Sequence, residues 1–167
     1  MNEALSEINK RVYQSSGFKI TNLQTEKESQ EYDACQFELN GLKIISRTAK
    51  RTPKKAGQFV TFWKRKDNGP IEPFHEADSF DFFIVNIRTD AGFGLFVFPK
   101  SILVQKGIIS TDSKEGKRAF RVYPEPNKNL NKTAERTQVW QREYFFPVHE
   151  ATGFKERMTR ISDSYRH

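Results

Sequence analysis

CQFELNGLKIISR, residues 35–47, is the stretch from which the fold is read. Two β-prone runs, 35–39 and 42–47, flank Asn40-Gly41. That dipeptide is the strongest short hairpin signal, because a two-residue turn of matching twist needs φ > 0 at both central positions. Downstream, FDFFIVNI (80–87) is almost unbroken in apolar residues, as a strand buried on both faces would be. Asp90-Ala91-Gly92 turns it back into GLFVF (94–98). QFVTFWK (58–64) adds a strand rich in aromatic and β-branched residues, and 118–123 adds another, ended by Pro124-Glu125-Pro126.

Around these strands the helical signals are weaker. Leu5, Ile8 and Val12 recur at near-helical spacing, so residues 1–14 read as an N-terminal amphipathic helix. Residues 18–23 suit a short strand, and 26–34 suit a charged helix with Tyr32 and Ala34 turned inward. The stretch 48–57 reads as a loop, 66–73 as a turn, and 127–132 as a polar loop. Pro99 opens a short helix that Gly107 closes, and 133–146 reads as a helix packing Trp140 and Tyr144 inward. The tail, 148–167, reads as a charged peripheral extension. The expected architecture is therefore a single domain over 1–167, an α/β sandwich around one mixed sheet.

With 167 residues the chain can bury a core without staples, and its one cysteine, Cys35, excludes a disulfide framework and zinc fingers. No signal peptide or membrane span is apparent, which points to the cytoplasm. Lys and Arg number 28 against 21 Asp and Glu, a net charge of +7 that favours polyanions. The distribution says more. From Leu39 to Lys66 the chain holds nine cations and no acid. Arg47, Lys50, Arg51, Lys54, Lys55, Lys64 and Arg65 are the candidate phosphate contacts among them. A solvated basic face guarding a sheet edge explains the same run. Lys117, Arg118 and Arg121 form a second basic group ahead of Tyr123, where an arginine beside an aromatic suits a nucleotide clamp, or an edge strand with Arg covering the core. Trp63 suits either a stacking platform or the core.

Catalytic chemistry is hard to assemble. A metal-dependent nuclease needs carboxylates on adjacent strands holding Mg²⁺, with a lysine near the attacking water. Glu115-Gly116-Lys117 is the one Glu-x-Lys, and it falls in a polar turn. The remaining candidates, Asp81, Gln58 and Lys64, are scattered, and Asp81 equally suits a strand start bonding the backbone. His75, His149 and His167 lack metal-ligand spacing. Cys35 has no neighbouring His and reads as a small hydrophobe.

RTAKRTPKKAGQFV (47–60) and WKR (63–65), with FPK (98–100), RVYP (121–124), TQVWQ (137–141) and Tyr144-Phe145, resemble the MepB-like family of small bacterial proteins. The similarity spans roughly residues 15–147. The resemblance implies a restriction-endonuclease-like (PD-(D/E)XK) fold, with a central mixed sheet flanked by helices. It also implies a link to multidrug efflux, since the namesake is encoded beside an efflux pump and its repressor. Where an active member of that superfamily shows acid-x-Lys, this chain has Gln58-Phe59-Val60, and Asp81 falls on a later strand. The resemblance thus implies a degenerate active site and retained binding of double-stranded DNA, with no cofactor. Two other functions stay open. One is a Mg²⁺-dependent nuclease using Asp81, Gln58 and Lys64. The other is an efflux accessory protein that binds proteins or holds planar cations on aromatic side chains.

Overall fold

The computed structural model describes residues 1–150 and 153–166. From the N-terminus, α1 (Glu3–Ile8) runs on through one π-helical turn before β1 (Ile20–Thr25), β2 (Cys35–Leu39) and β3 (Leu42–Thr48). Next come β4 (Lys50–Arg51), β5 (Gln58–Thr61), β6 (Trp63–Arg65), β7 (Ile71–Pro73), β8 (Phe82–Thr89) and β9 (Gly92–Pro99). The chain ends with α2 (Lys100–Gln105), β10 (Ala119–Val122), α3 (Lys132–Gln141), β11 (Phe145–Pro147) and α4 (Phe154–Arg166).

Asn40 and Gly41 adopt φ of +48° and +86°, so the hairpin closes as the dipeptide demands. Six strands form the main sheet in the order β1-β2-β3-β8-β9-β11. β3 and β8 are parallel and every other pair is antiparallel, which makes the sheet mixed. Phe82 and Ile84 pack with Leu5, Ile8 and Val12 and with Phe154 and Met158 on one face. Phe83, Val85 and Ile87 pack with Val60, Phe62, Phe98 and Leu103 on the other. Each face of β8 thus meets its own layer, which is why its sequence shows no alternation. A second sheet, β10-β5-β4, and a β6-β7 ribbon cover part of that second face. Trp140 packs against Phe98, ring centroids 5.5 Å apart, as its helical setting predicts.

Several local expectations are corrected. Residues 26–34 form no charged helix: Ser29 and Asp33 sit at φ of +57° and +51°, leaving a single 3-10 turn between them. The strand expected over 58–64 breaks at Phe62, whose ring leaves the surface to stack on Phe83 (3.9 Å) and Phe74 (4.5 Å). Short strands, β4 and β7, interrupt the regions read as loop and turn. The helix over 133–146 stops at Gln141, because Phe145–Pro147 leaves to pair with β9. The C-terminal segment is not peripheral: Phe154 and Met158 are 0% and 1% exposed, anchoring α4 against the first core layer. No helix among the described residues is long and apolar enough to cross a membrane.

Candidate nucleic-acid interface

Val60 and Val122 point into the core from the small sheet. Strand alternation therefore sends Phe59, Thr61, Ala119 and Arg121 to its outer side. Register places Phe59 opposite both Arg121 and Lys50. The ring of Tyr32 meets Phe59 at 6.2 Å, and the Lys50 ammonium lies 5.0 Å from that tyrosine ring. The outer face thus interleaves half-buried aromatics with cations.

The loop Thr52–Gly57 at one end of this face is built, not loose. The Arg121 guanidinium donates to Thr52 Oγ1 at 2.7 Å, Ala56 O at 2.9 Å, Gly57 O at 3.1 Å and Lys55 O at 3.4 Å. Gly57 has φ +76°, and a Cβ there would lie 2.8 Å from the Tyr123 ring. Arg121 and Tyr123 consequently frame the loop: the guanidinium uses its Nε and NH2 donors on three backbone carbonyls and the Thr52 hydroxyl. The frame presents Lys54 and Lys55, both exposed and without an ion pair among the described residues. At the opposite end, Ala119 pairs with Thr61 and Phe62 N–H donates to Arg118 O at 2.8 Å, which puts Lys117 just past the Thr61 end of β5. Lys117 is likewise exposed and unpaired among the described residues. The four residues of β5 separate the two ends by about 13 Å.

Most of the other candidate cations are neutralised by acids from distant segments. Arg47 is fully buried, and its NH2 lies 3.0 Å from Glu26, so it is corrected from phosphate contact to internal ion pair. Burial lowers its pKa and Glu26 opposes that shift. Lys50 meets Glu31 at 3.6 Å, while Arg51 meets Asp90 at 3.2 Å and Glu125 at 3.9 Å. Lys64 pairs with Asp78 at 2.7 Å, Arg65 with Glu28 at 2.8 Å, and Arg118 with Glu115 at 3.0 Å. These last six pairs are at least partly solvent-exposed contacts that a polyanion can displace at little cost.

The catalytic candidates do not converge. Asp81 Oδ2 accepts from Lys43 N–H at 2.8 Å and Asp81 N–H donates to Lys43 O at 2.8 Å, a backbone clamp that opens β8 against β3. Gln58 Nε2 donates to Arg88 O at 2.7 Å, at the far end of β8. Seven residues of strand put those two points about 23 Å apart. Lys64 is engaged by Asp78. Gln58 and Val60 also belong to the small sheet, so their departure from acid-x-Lys concerns a strand outside the central one. Among the described residues, no three or more His, Cys, Asp or Glu side chains are grouped to hold a metal. His75 contacts Asp112 at 3.2 Å, and His167 lies outside the described residues. The Cys35 thiol is buried, which pushes its pKa up to about 11, as befits an inert hydrophobe.

One feature escaped the sequence reading. A cleft of about 780 Å³ opens between residues 26–29, the β6-β7 ribbon and 78–80, with Trp63 in its wall. Its lining comes from segments far apart in the chain, so no local pattern marks it. Glu26 at its edge accepts from Arg47 at 3.0 and 3.3 Å and from Gln36 at 3.1 Å, leaving little capacity for a metal.

Comparison with solved structures finds a crystal structure of MepB, 37% identical, with a TM-score of 0.74 over 87% of this chain and 97% of that one. A bacterial homing endonuclease, I-Ssp6803I, is 16% identical, with a TM-score of 0.48 over 82% of this chain and 84% of that one. Comparison with curated proteins finds none that matches. The MepB-like family model matches residues 26–147, a span that holds the β2-β3 hairpin, the braced lysine loop, the small sheet and α3. On that match, and on the close likeness to MepB across nearly the whole chain, the protein belongs to the MepB-like family.

Proposed function

We propose that the outer face of the β10-β5-β4 sheet binds nucleic acid, with double-stranded DNA as the partner, and does not cut it. The observation that carries this reading is the braced loop. A half-buried arginine secures four groups of Thr52–Gly57, and the two lysines that the loop presents have no ion-pair partner among the described residues. Holding two adjacent exposed ammonium groups on a fixed loop concentrates positive potential at one place, which attracts an anion. Lys117, unpaired among the described residues, supplies a third cation past the other end of β5, a strand of about 13 Å, so the two ends span more than one phosphate of a strand. Lys50, Arg51 and Arg118 join when phosphates replace their exposed acid partners.

The binding is salt-sensitive and needs no cofactor, and it places the protein with its DNA in the cytoplasm. The test is fluorescence anisotropy of a labelled duplex across a range of salt. Binding at low salt with a steep negative dependence supports the reading, and no binding at low salt ends it. Plasmid incubated with Mg²⁺ is expected to stay intact. Nicking lost in Asp81→Ala would instead favour a nuclease.

A further inference from the structure

The 780 Å³ cleft adjoins the proposed DNA-binding face and has a different chemistry. β5 ends at Thr61, and one residue later Trp63 opens β6. Thr61 Oγ1 lies 3.3 Å from Ser29 Oγ on the cleft rim, so face and cleft are continuous. Trp63 forms part of the wall, half-buried, with the Arg65 guanidinium 5.8 Å from its ring. Arg65 is itself fastened to Glu28 Oε1 at 2.8 Å and Gly69 O at 2.7 Å. Phe74 and Phe80 also line the cleft and are 6% and 5% exposed. At the rim Lys27 is exposed, with no ion pair among the described residues.

Trp63 offers part of an aromatic face to a base, while Glu28, Asp67 and Asp78 in the same lining turn phosphates away from the cleft interior. Paired bases hide their faces inside the duplex, so only an unpaired base can use it. We propose that this cleft receives an unpaired base, and that the protein prefers DNA in which a single-stranded segment adjoins the duplex. The proposal rests on the nucleic-acid reading of the small-sheet face and adds to it the class of DNA. Lys27 meets the phosphate of the inserted nucleotide, and Arg65 keeps the indole in place. The stacking is tolerant of base identity, because every base has a π face.

The experiment compares a blunt duplex with the same duplex carrying a single-stranded tail, by anisotropy, for the wild type, Trp63→Ala and Trp63→Tyr. The tail is expected to tighten binding about tenfold. Trp63→Ala is expected to abolish that preference while leaving blunt-duplex binding in place, and Trp63→Tyr to retain most of it. In a Trp140→Phe background the remaining indole is expected to be quenched by the tailed DNA. Equal binding of the two DNAs, a preference that survives Trp63→Ala, or unchanged fluorescence on saturation overturns the cleft proposal alone. Failure to bind either DNA removes the underlying reading as well.

Discussion

Arg47 holds its charge in the protein interior with no exposed surface, and among the described residues Glu26 is its one acidic partner. Its Nε has no hydrogen-bond partner among the described residues, so the pair is already short of acceptors. Removing the half-buried acid strands the fully buried guanidinium, at a cost of up to about 3 kcal/mol, the low end for a buried pair. Glu26→Gln is therefore expected to lower unfolding free energy by about that amount in urea titration, and adding Arg47→Met to recover much of it. A null effect of Glu26→Gln would mean that water reaches Arg47. Cys35 gives a pH dependence. Burial raises its thiol pKa from 9.0 to about 11, and burial raises the Tyr13 phenol too. The folded chain then holds protons that the unfolded chain releases. The stability from Cys35 is complete below pH 9 and declines between about pH 9 and 11. Thermal melts across that window should show a falling Tm, with a shallower fall in Cys35→Ala. Neither residue announces this role in the sequence. Arg47 sits in a basic run, and its partner lies 21 positions away.

The braced loop shows what an element does that its residues alone do not. Arg121 spends its Nε and NH2 donors on the loop and so fixes the conformation from which Lys54 and Lys55 project. Arg121→Ala is expected to speed amide exchange across 54–57 and to weaken DNA binding several-fold while the lysines remain. Unaltered exchange would show the loop to be held by something else. Gly57→Ala attacks the same element from the other side, placing a methyl 2.8 Å from the Tyr123 ring at φ +76°. That substitution should cost about 1–3 kcal/mol by thermal denaturation. Elements with local causes were legible in the chain: the Asn40-Gly41 hairpin, the doubly buried β8, and the short helix between Pro99 and Gly107. Elements with distant causes were not. Residues 26–34 carry helix-forming charge, but positive φ at Ser29 and Asp33 and the pull of Arg47 on Glu26 keep them a loop. Gln141 ends α3 because β9 offers Phe145–Pro147 an edge to pair with.

Charge is where the molecule as a whole differs most from its linear text. Nine cations between Leu39 and Lys66 have no acid in their own stretch, but the fold delivers Glu26, Glu28, Glu31, Asp78, Asp90 and Glu125 to them. What the sequence displays as one long basic block is, in space, a mostly neutralised surface with a few unpaired lysines. The candidate site is correspondingly smaller than the run suggests. It lies at the two ends of the small sheet, where Lys54 and Lys55 face Lys117 across β5. The most direct test is the salt dependence of duplex binding by the Lys54→Ala, Lys55→Ala, Lys117→Ala triple variant. The slope of log Kobs against log salt should become shallower by up to about 2.7, roughly 0.9 for each phosphate contact removed. A slope equal to that of the wild type would contradict the assignment of these three lysines as the phosphate-binding ends of the face.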